Sequence, residues 1–234
     1  MLNYAVEKSL LEPLVPHGTV LDRFDGEYFV SIVGFLFLKT RVFGLPIPFH
    51  RDFEEVNLRF YVRRKSEEGW RRGVVFVREL VPRFAIAAVA RLAYGEKYLA
   101  LPMSHEIAYG SDETAGMKST PHVTSASYSW TNAGRTNGVS VVTAGPAVEI
   151  AEGSAEEFIT EHYFGYATRR DGGTTEYQVA HPRWRVAQAR ESSFDADVAE
   201  LYGEAFVSVL ENPPASAFLA DGSPVQVFTG AKLG

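Results

Sequence analysis

"DFEEVNLRFYVRR", residues Asp52–Arg64, is the stretch on which the fold turns. Val56, Leu58, Phe60 and Val62 alternate with Glu55, Asn57, Arg59 and Tyr61. A period of two is that of a β-strand with one apolar face. The second face has two readings. Residues of this kind are ordinarily a solvated outer surface. In a closed sheet they would be a polar wall facing inward. Along a strand, Glu55 and Arg59 lie about 13 Å apart, so they are not a simple neighbour pair. An inward row would suit a small organic anion, with Arg59 forking onto a carboxylate and Asn57 and Tyr61 orienting it.

The rest of the chain reads as strands with a few helices. "YFVSIVGFLFL" (Tyr28–Leu38) is β-branched and aromatic, far short of a membrane span, and reads as a buried strand. It follows a hairpin turn at Asp25-Gly26. "GVVFVREL" (Gly73–Leu80) is apolar on both faces, as central strands are. Further strands are expected within Lys97–Gly110, Ser216–Ala220 and Pro224–Phe228. Hairpins are expected at Asn137-Gly138 and Asp171-Gly172. Helices are expected over Tyr4–Val15, over Pro82–Gly95, from a capping box at Ser154 and Glu157, and from Asp195 to the prolines at 213 and 214. Val42–His50 reads as a shaped loop and Ser111–Ser127 as a mobile one. Leu36, Val56, Leu58, Phe60, Val75 and Trp184 are the expected core. The chain is therefore α+β and predominantly antiparallel β, one domain over residues 1–234.

Composition narrows the partners. The 234 residues carry a net charge of −6, with 46% hydrophobic and 22% charged residues and no cysteine. Such a chain is expected to be soluble and cytoplasmic, with neither nucleic acid nor membrane as partner. Met1–Lys8 has no signal-peptide pattern. Disulfides, thiolate chemistry and cysteine-based zinc sites are excluded. His105-Glu106 lacks the second histidine of a metalloprotease helix, and His122, His162 and His181 have no ligand spacing, so no metal and no cofactor are expected. No serine has a nucleophile-elbow context.

The ordered set FEEVNLRFYV, GVVFVREL, the alanine-rich segment with Arg91, LPM, GSAEEFITEHYFGY and VAHPRWRVAQA resembles the YqjF-like family of conserved bacterial proteins. That family is similar to the acetoacetate decarboxylase-like superfamily. The resemblance implies an antiparallel sheet curled into a barrel or cone, with a central cavity and helices packed outside. It favours the inward reading of Glu55, Asn57, Arg59 and Tyr61. Arg91 joins them as a candidate, because a buried helical arginine needs a carboxylate or carbonyl partner. His181 is a candidate at the cavity rim. The decarboxylases run from an arginine through a glycine into paired lysines; "ARLAYGEKYLALPM" keeps the arginine and glycine and lacks the pair. An ungapped reading sets the first of those lysines on Tyr98. Lys97 is the one nearby amine, and a Schiff-base lysine must be neutral near pH 7. The expected function is binding of a small organic anion in the cavity. The alternatives are a Schiff-base lyase acting on a keto acid through Lys97, and a structural or partner-binding domain. A homo-oligomer stays open.

Overall fold

The computed structural model describes residues 1–38, 41–42, 45–46, 52–82, 97–110 and 121–233. β1 (Leu2–Val6) leads into helix α1 (Lys8–Leu11) and a 3-10 turn at Glu12–Leu14. β2 (Val20–Leu21) and β3 (Tyr28–Phe37) follow. Among the described residues β4 (Arg41–Val42) and β5 (Leu45–Pro46) pair only with each other. β6 (Phe53–Ser66) and β7 (Gly69–Val81) form the long hairpin that contains the opening stretch. β8 (Tyr98–Ala100), β9 (Met103–Gly110), β10 (His122–Asn132) and β11 (Arg135–Thr143) come next. After β12 (Val148–Glu149) and helix α2 (Ala155–Thr160) run β13 (Phe164–Thr168), β14 (Thr174–Ala180) and β15 (Arg185–Asp195). Helices α3 (Val198–Tyr202) and α4 (Val207–Leu210) precede β16 (Ser216–Ala220), β17 (Gln226–Val227) and β18 (Ala231–Lys232).

One sheet carries these strands in the order β17-β14-β13-β7-β6-β3-β1-β16-β15-β11-β10-β9. Its pairs are antiparallel except β13 with β7 and β7 with β8. The two ends do not pair among the described residues, so the sheet is curled and open rather than a closed barrel. Its curl brings distant strands together. His105 Nδ1 on β9 lies 2.7 Å from Glu54 Oε1 on β6, seven strands away in the order. Tyr128 of β10 lies against Gly34 of β3, where a Cβ would come within 2.6 Å of the ring. That contact is possible only because position 34 has no side chain.

The main core lies on the face of Val56, Leu58, Phe60 and Val62, with Leu2, Ile32 and Val75 from neighbouring strands. Tyr128 and Trp130 from the curled-over strands and Leu201, Phe206 and Leu210 from the helices close it. It draws on residues from Leu2 to Leu210. Leu36 and Trp184, expected in the core, are half-buried. Trp184 stays near the surface because its indole Nε1–H donates to Ser223 Oγ at 2.7 Å.

Several local expectations are corrected. The helix expected from Tyr4 begins at Lys8, because Leu2–Val6 pair with β3 residue by residue. Asp25-Gly26 does turn the chain, both at positive φ, but β2 pairs with β6 and not with β3. The second hairpin turns at Ala133-Gly134, also both at positive φ. Asn137 and Gly138 sit inside β11 instead. Asn137 is buried there, its amide donating to the Trp130 and Arg135 carbonyls and its oxygen accepting the Asp197 N–H. The helix expected from Asp195 is broken at Gly203, whose φ of +100° is closed to ordinary L residues in a helix. Residues 122–127 of the expected loop belong to β10. Residues 83–95 of the expected helix, Arg91 among them, and most of Val42–His50 lie outside the described residues. Among the described residues no helix is long and apolar enough to cross a membrane.

Candidate functional site

The second face of β6 is not wetted. Glu55 is 2% exposed, Asn57 1% and Tyr61 1%, while Arg59 is half-buried. Their backbone places them together. A bulge between Leu58 and Arg59 inserts Val77 as an extra residue on β7, which sets Phe76 opposite Arg59 and Glu79 opposite Asn57. Bulges of this kind concentrate next to functional sites because they re-aim side chains. On the other flank Ser31 pairs with Arg59 in register, and Asn3 pairs with Ser31.

Buried polar groups must find partners, and most here do. Tyr61 and Ser31 hydroxyls lie 2.6 Å apart, Ser31 Oγ donates to Asn3 Oδ1 at 2.7 Å, and Asn3 Nδ2 donates to Ser216 Oγ at 3.0 Å. Ser31 has one proton and gives it to Asn3, so Tyr61 is the donor to Ser31. The chain of bonds crosses β6, β3, β1 and β16. Glu55 accepts from Asn57 Nδ2 at 3.0 Å and from the Tyr98 hydroxyl at 3.4 Å. Burial pushes its carboxyl up to about 7, against the pull of these two donors and of the Arg59 charge, all of which favour the anion.

Arg59 Nη2 donates to the Ile159 carbonyl at 3.1 Å, and the guanidinium carbon lies 5.7 Å from the Tyr61 ring centroid. Its Nε has no hydrogen-bond partner, and no carboxylate pairs with the guanidinium among the described residues. Ile159 is supplied by α2, whose start is fixed by the capping box read in the sequence. Ser154 Oγ accepts the Glu157 N–H at 3.2 Å, while the Glu157 carboxylate accepts from Gly153 N–H at 2.6 Å. Phe158 and Ile159 of this helix cover Tyr61, Val74 and Phe218. His162, just beyond the helix, lies over the Tyr61 ring at 4.7 Å.

The other candidates lie apart from this row. Lys97 is exposed; its carbonyl accepts the Glu79 N–H, and its neighbour Tyr98 is the side chain that reaches Glu55. The position that reads as the decarboxylase lysine thus holds a tyrosine against a buried glutamate. His181 is half-buried, stacked between Tyr163 at 4.9 Å and Trp184 at 4.2 Å, with Nδ1 2.9 Å from the Pro182 carbonyl. Arg91 falls outside the described residues. Sequence reasoning missed Asn3, Ser31, Tyr98 and His162 as members of the polar face. Ser31 alone left a signal, a lone hydroxyl in the otherwise apolar run of β3.

Comparison with known proteins agrees with the fold. The chain is similar to an acetoacetate decarboxylase-like enzyme from Sphingomonas wittichii RW1, with a TM-score of 0.61 and 11% identity over 99% of this chain and 89% of that one. It is also similar to the acetoacetate decarboxylase of Legionella pneumophila, with a TM-score of 0.57 and 12% identity over 100% of this chain and 83% of that one. The enduracididine biosynthesis enzyme MppR, complexed with pyruvate, gives a TM-score of 0.58 at 10% identity over 99% of this chain and 83% of that one. At such identities the likeness concerns the fold alone. In sequence, the uncharacterized protein YqjF of Bacillus subtilis (strain 168) is 38% identical over 68 residues, which are 29% of this chain and 28% of that protein. The DUF2071 family, described as an uncharacterized conserved protein, matches residues 1–224. The chain therefore belongs to the DUF2071 family, on an acetoacetate decarboxylase-like fold.

Proposed function

We propose that the polar face of β6 binds a small organic anion, with Arg59 taking its negative charge. The observation that carries this reading is the state of Arg59: a guanidinium set among buried side chains, bonded to one carbonyl and to no carboxylate among the described residues. A half-buried cation without a close ion pair gives up part of its hydration, and a bound carboxylate would offset that loss with a fork of charge-assisted hydrogen bonds. Glu55 fits the same reading. With its carboxyl raised to about 7, it is largely neutral in mildly acidic solution and does not repel an anion. Affinity should then fall as pH rises through about 7, as Glu55 ionises. Acetoacetate decarboxylases and a pyruvate complex among the fold neighbours make short keto acids the first ligands to try.

The test is thermal unfolding with propionate, pyruvate and acetoacetate, for the natural protein and for Arg59→Ala. A ligand at 100 times its Kd should stabilise the natural protein by about 2.7 kcal/mol. The stabilisation should vanish in Arg59→Ala. Failure of every carboxylate to stabilise, or equal stabilisation of the variant, would overturn the reading.

Schiff-base chemistry at Lys97 is the competing reading. An exposed amine lacks the desolvation that activates a lysine, so treatment with a β-keto acid and borohydride should leave Lys97 unmodified. A stoichiometric adduct, absent in Lys97→Ala, would put a lyase in place of the binding protein.

A further inference from the structure

Charge is distributed unevenly over this acidic chain. Between Arg190 and Lys232 every charged side chain is a carboxylate. That stretch includes α3, the 3-10 turn Glu204–Phe206 and α4. Val198, Leu201, Tyr202, Phe206 and Leu210 face the main core, which leaves Glu200, Glu204 and Glu211 exposed on the outside. Among the described residues none of these three carboxylates has an ion-pair partner. The outer surface of the helical segment is therefore uniformly negative.

The far end of the β6–β7 hairpin is the reverse. Arg63 stands opposite Arg72, and Lys65 opposite Trp70. Like charges directly across two strands repel, and here one carboxylate answers two arginines. Asp22, 5% exposed, accepts from Arg72 Nε at 2.7 Å and lies 3.9 Å from Arg63 Nη1. Lys65 has no ion-pair partner among the described residues, so this face of the hairpin holds a surplus of positive charge. Within it Trp70 is 51% exposed, and the Arg63 guanidinium carbon lies 4.5 Å from its ring centroid. Val20, in register with Arg63, is 47% exposed. A tryptophan held by a stacked arginine has less rotamer freedom to lose on binding, and both side chains are enriched among the anchors of protein interfaces.

The two regions face away from each other within one chain. By strand alternation Arg63 and Lys65 continue the β6 face of Glu55 and Tyr61, whereas α3 and α4 cover the opposite face, that of Val56, Leu58 and Phe60. They can meet only between chains.

We infer that the patch of Val20, Arg63, Lys65 and Trp70 docks the acidic α3–α4 surface of a second copy of this chain, head to tail. Charge complementarity selects this occupant. With a net charge of −6, two copies repel over most of their surface, and the orientation that sets the basic patch against the all-carboxylate face is the attractive one. Trp70 and Val20 supply the apolar centre of the contact, and the charges supply its rim. The two copies contribute different patches, so the contact is heterologous and builds a ring or an open chain.

The experiment is sedimentation velocity on the natural protein and on two surface variants. One has lost the head (Lys65→Glu with Trp70→Ala); the other has lost the tail (Glu200→Gln, Glu204→Gln and Glu211→Gln together). The natural protein should self-associate in about 0.1 M salt and do so at least about tenfold more weakly in about 1 M, where the screening length falls from about 10 to 3 Å. Each variant alone should associate at least about tenfold more weakly than the natural protein. Mixed in equal amounts, the variants should form a dimer and nothing larger, because one intact head then meets one intact tail. Formation of that dimer also shows that both variants are folded. A natural protein that stays monomeric in low salt, or association that ignores salt, overturns the inference. Undiminished assembly of either variant alone overturns it as well, and so does a mixture that stays monomeric.

Discussion

The two faces of β6 are buried to nearly the same degree and for opposite reasons. Val56, Leu58, Phe60 and Val62 are fully buried in the main core, where the hydrophobic effect rewards their removal from water. Glu55, Asn57 and Tyr61 are almost as deeply buried on the other side, where removal from water costs free energy unless each polar atom finds a partner. The first face is a sum of non-directional contacts. The second is a wired network in which Glu55, Asn57 and Tyr98 form one group and Tyr61, Ser31, Asn3 and Ser216 another. A strand can therefore be central and apolar on one face alone, provided its other face is satisfied side chain by side chain. The groups left without a partner on that face, Asn57 Oδ1 and Arg59 Nε, mark where that wiring is incomplete.

Truncation should separate the faces most strongly on the apolar side. Phe60→Ala removes a fully buried ring and should cost about 3–5 kcal/mol in chemical denaturation. A loss below about 1 kcal/mol would mean that this face is not the structural core.

The polar side should show itself through pH. Glu55 titrates higher in the folded chain, near 7, than its unfolded value of 4.5, so the folded state holds its proton more tightly. Its contribution to stability is complete below pH 4.5 and is lost as pH rises through about 7. The loss is on the order of 3 kcal/mol between those limits. Glu55→Gln should abolish that decline, read from denaturation midpoints at pH 5 and pH 8. An identical decline in the variant would show that Glu55 is not the titrating group. His162 acts in the opposite sense. Its folded value lies below the ordinary 6.5, so its contribution is present above that pH and is lost on acidification.

The smallest effect belongs to a single link of the network. Tyr61→Phe keeps the ring against Phe158 and His162 and removes only the bond to Ser31, which should cost about 1 kcal/mol. A cost as large as that of Phe60→Ala would show that the network, and not the apolar face, dominates the sheet.

Much of this architecture was legible because it is local. Alternation marked β6, apolar β-branched residues marked β3 and β7, Ser154 with Glu157 marked the start of α2, and Asp171-Gly172 marked the loop between β13 and β14. Local signals failed where a distant partner outbid them. Asn137-Gly138 has the composition of a turn, yet Asn137 is engaged by Trp130 and Asp197, and the turn falls at Ala133-Gly134. The helical pattern after Asp195 gave way at Gly203, where the chain needs a conformation only glycine takes readily.

By itself the sequence determined that this chain folds as a mostly antiparallel sheet, which face of β6 enters the main core, and that cysteine chemistry is absent. Those follow from side-chain period and composition, properties each segment carries alone. Only the tertiary structure decided that the polar face is also buried, that Tyr98 rather than Lys97 meets Glu55, and that His162 and Arg59 share one ring of Tyr61. Burial of a polar face depends on what is laid across it. Here α2 and His162 are laid over β6 from about a hundred residues further along the chain, a distance at which no period or spacing in the sequence carries information.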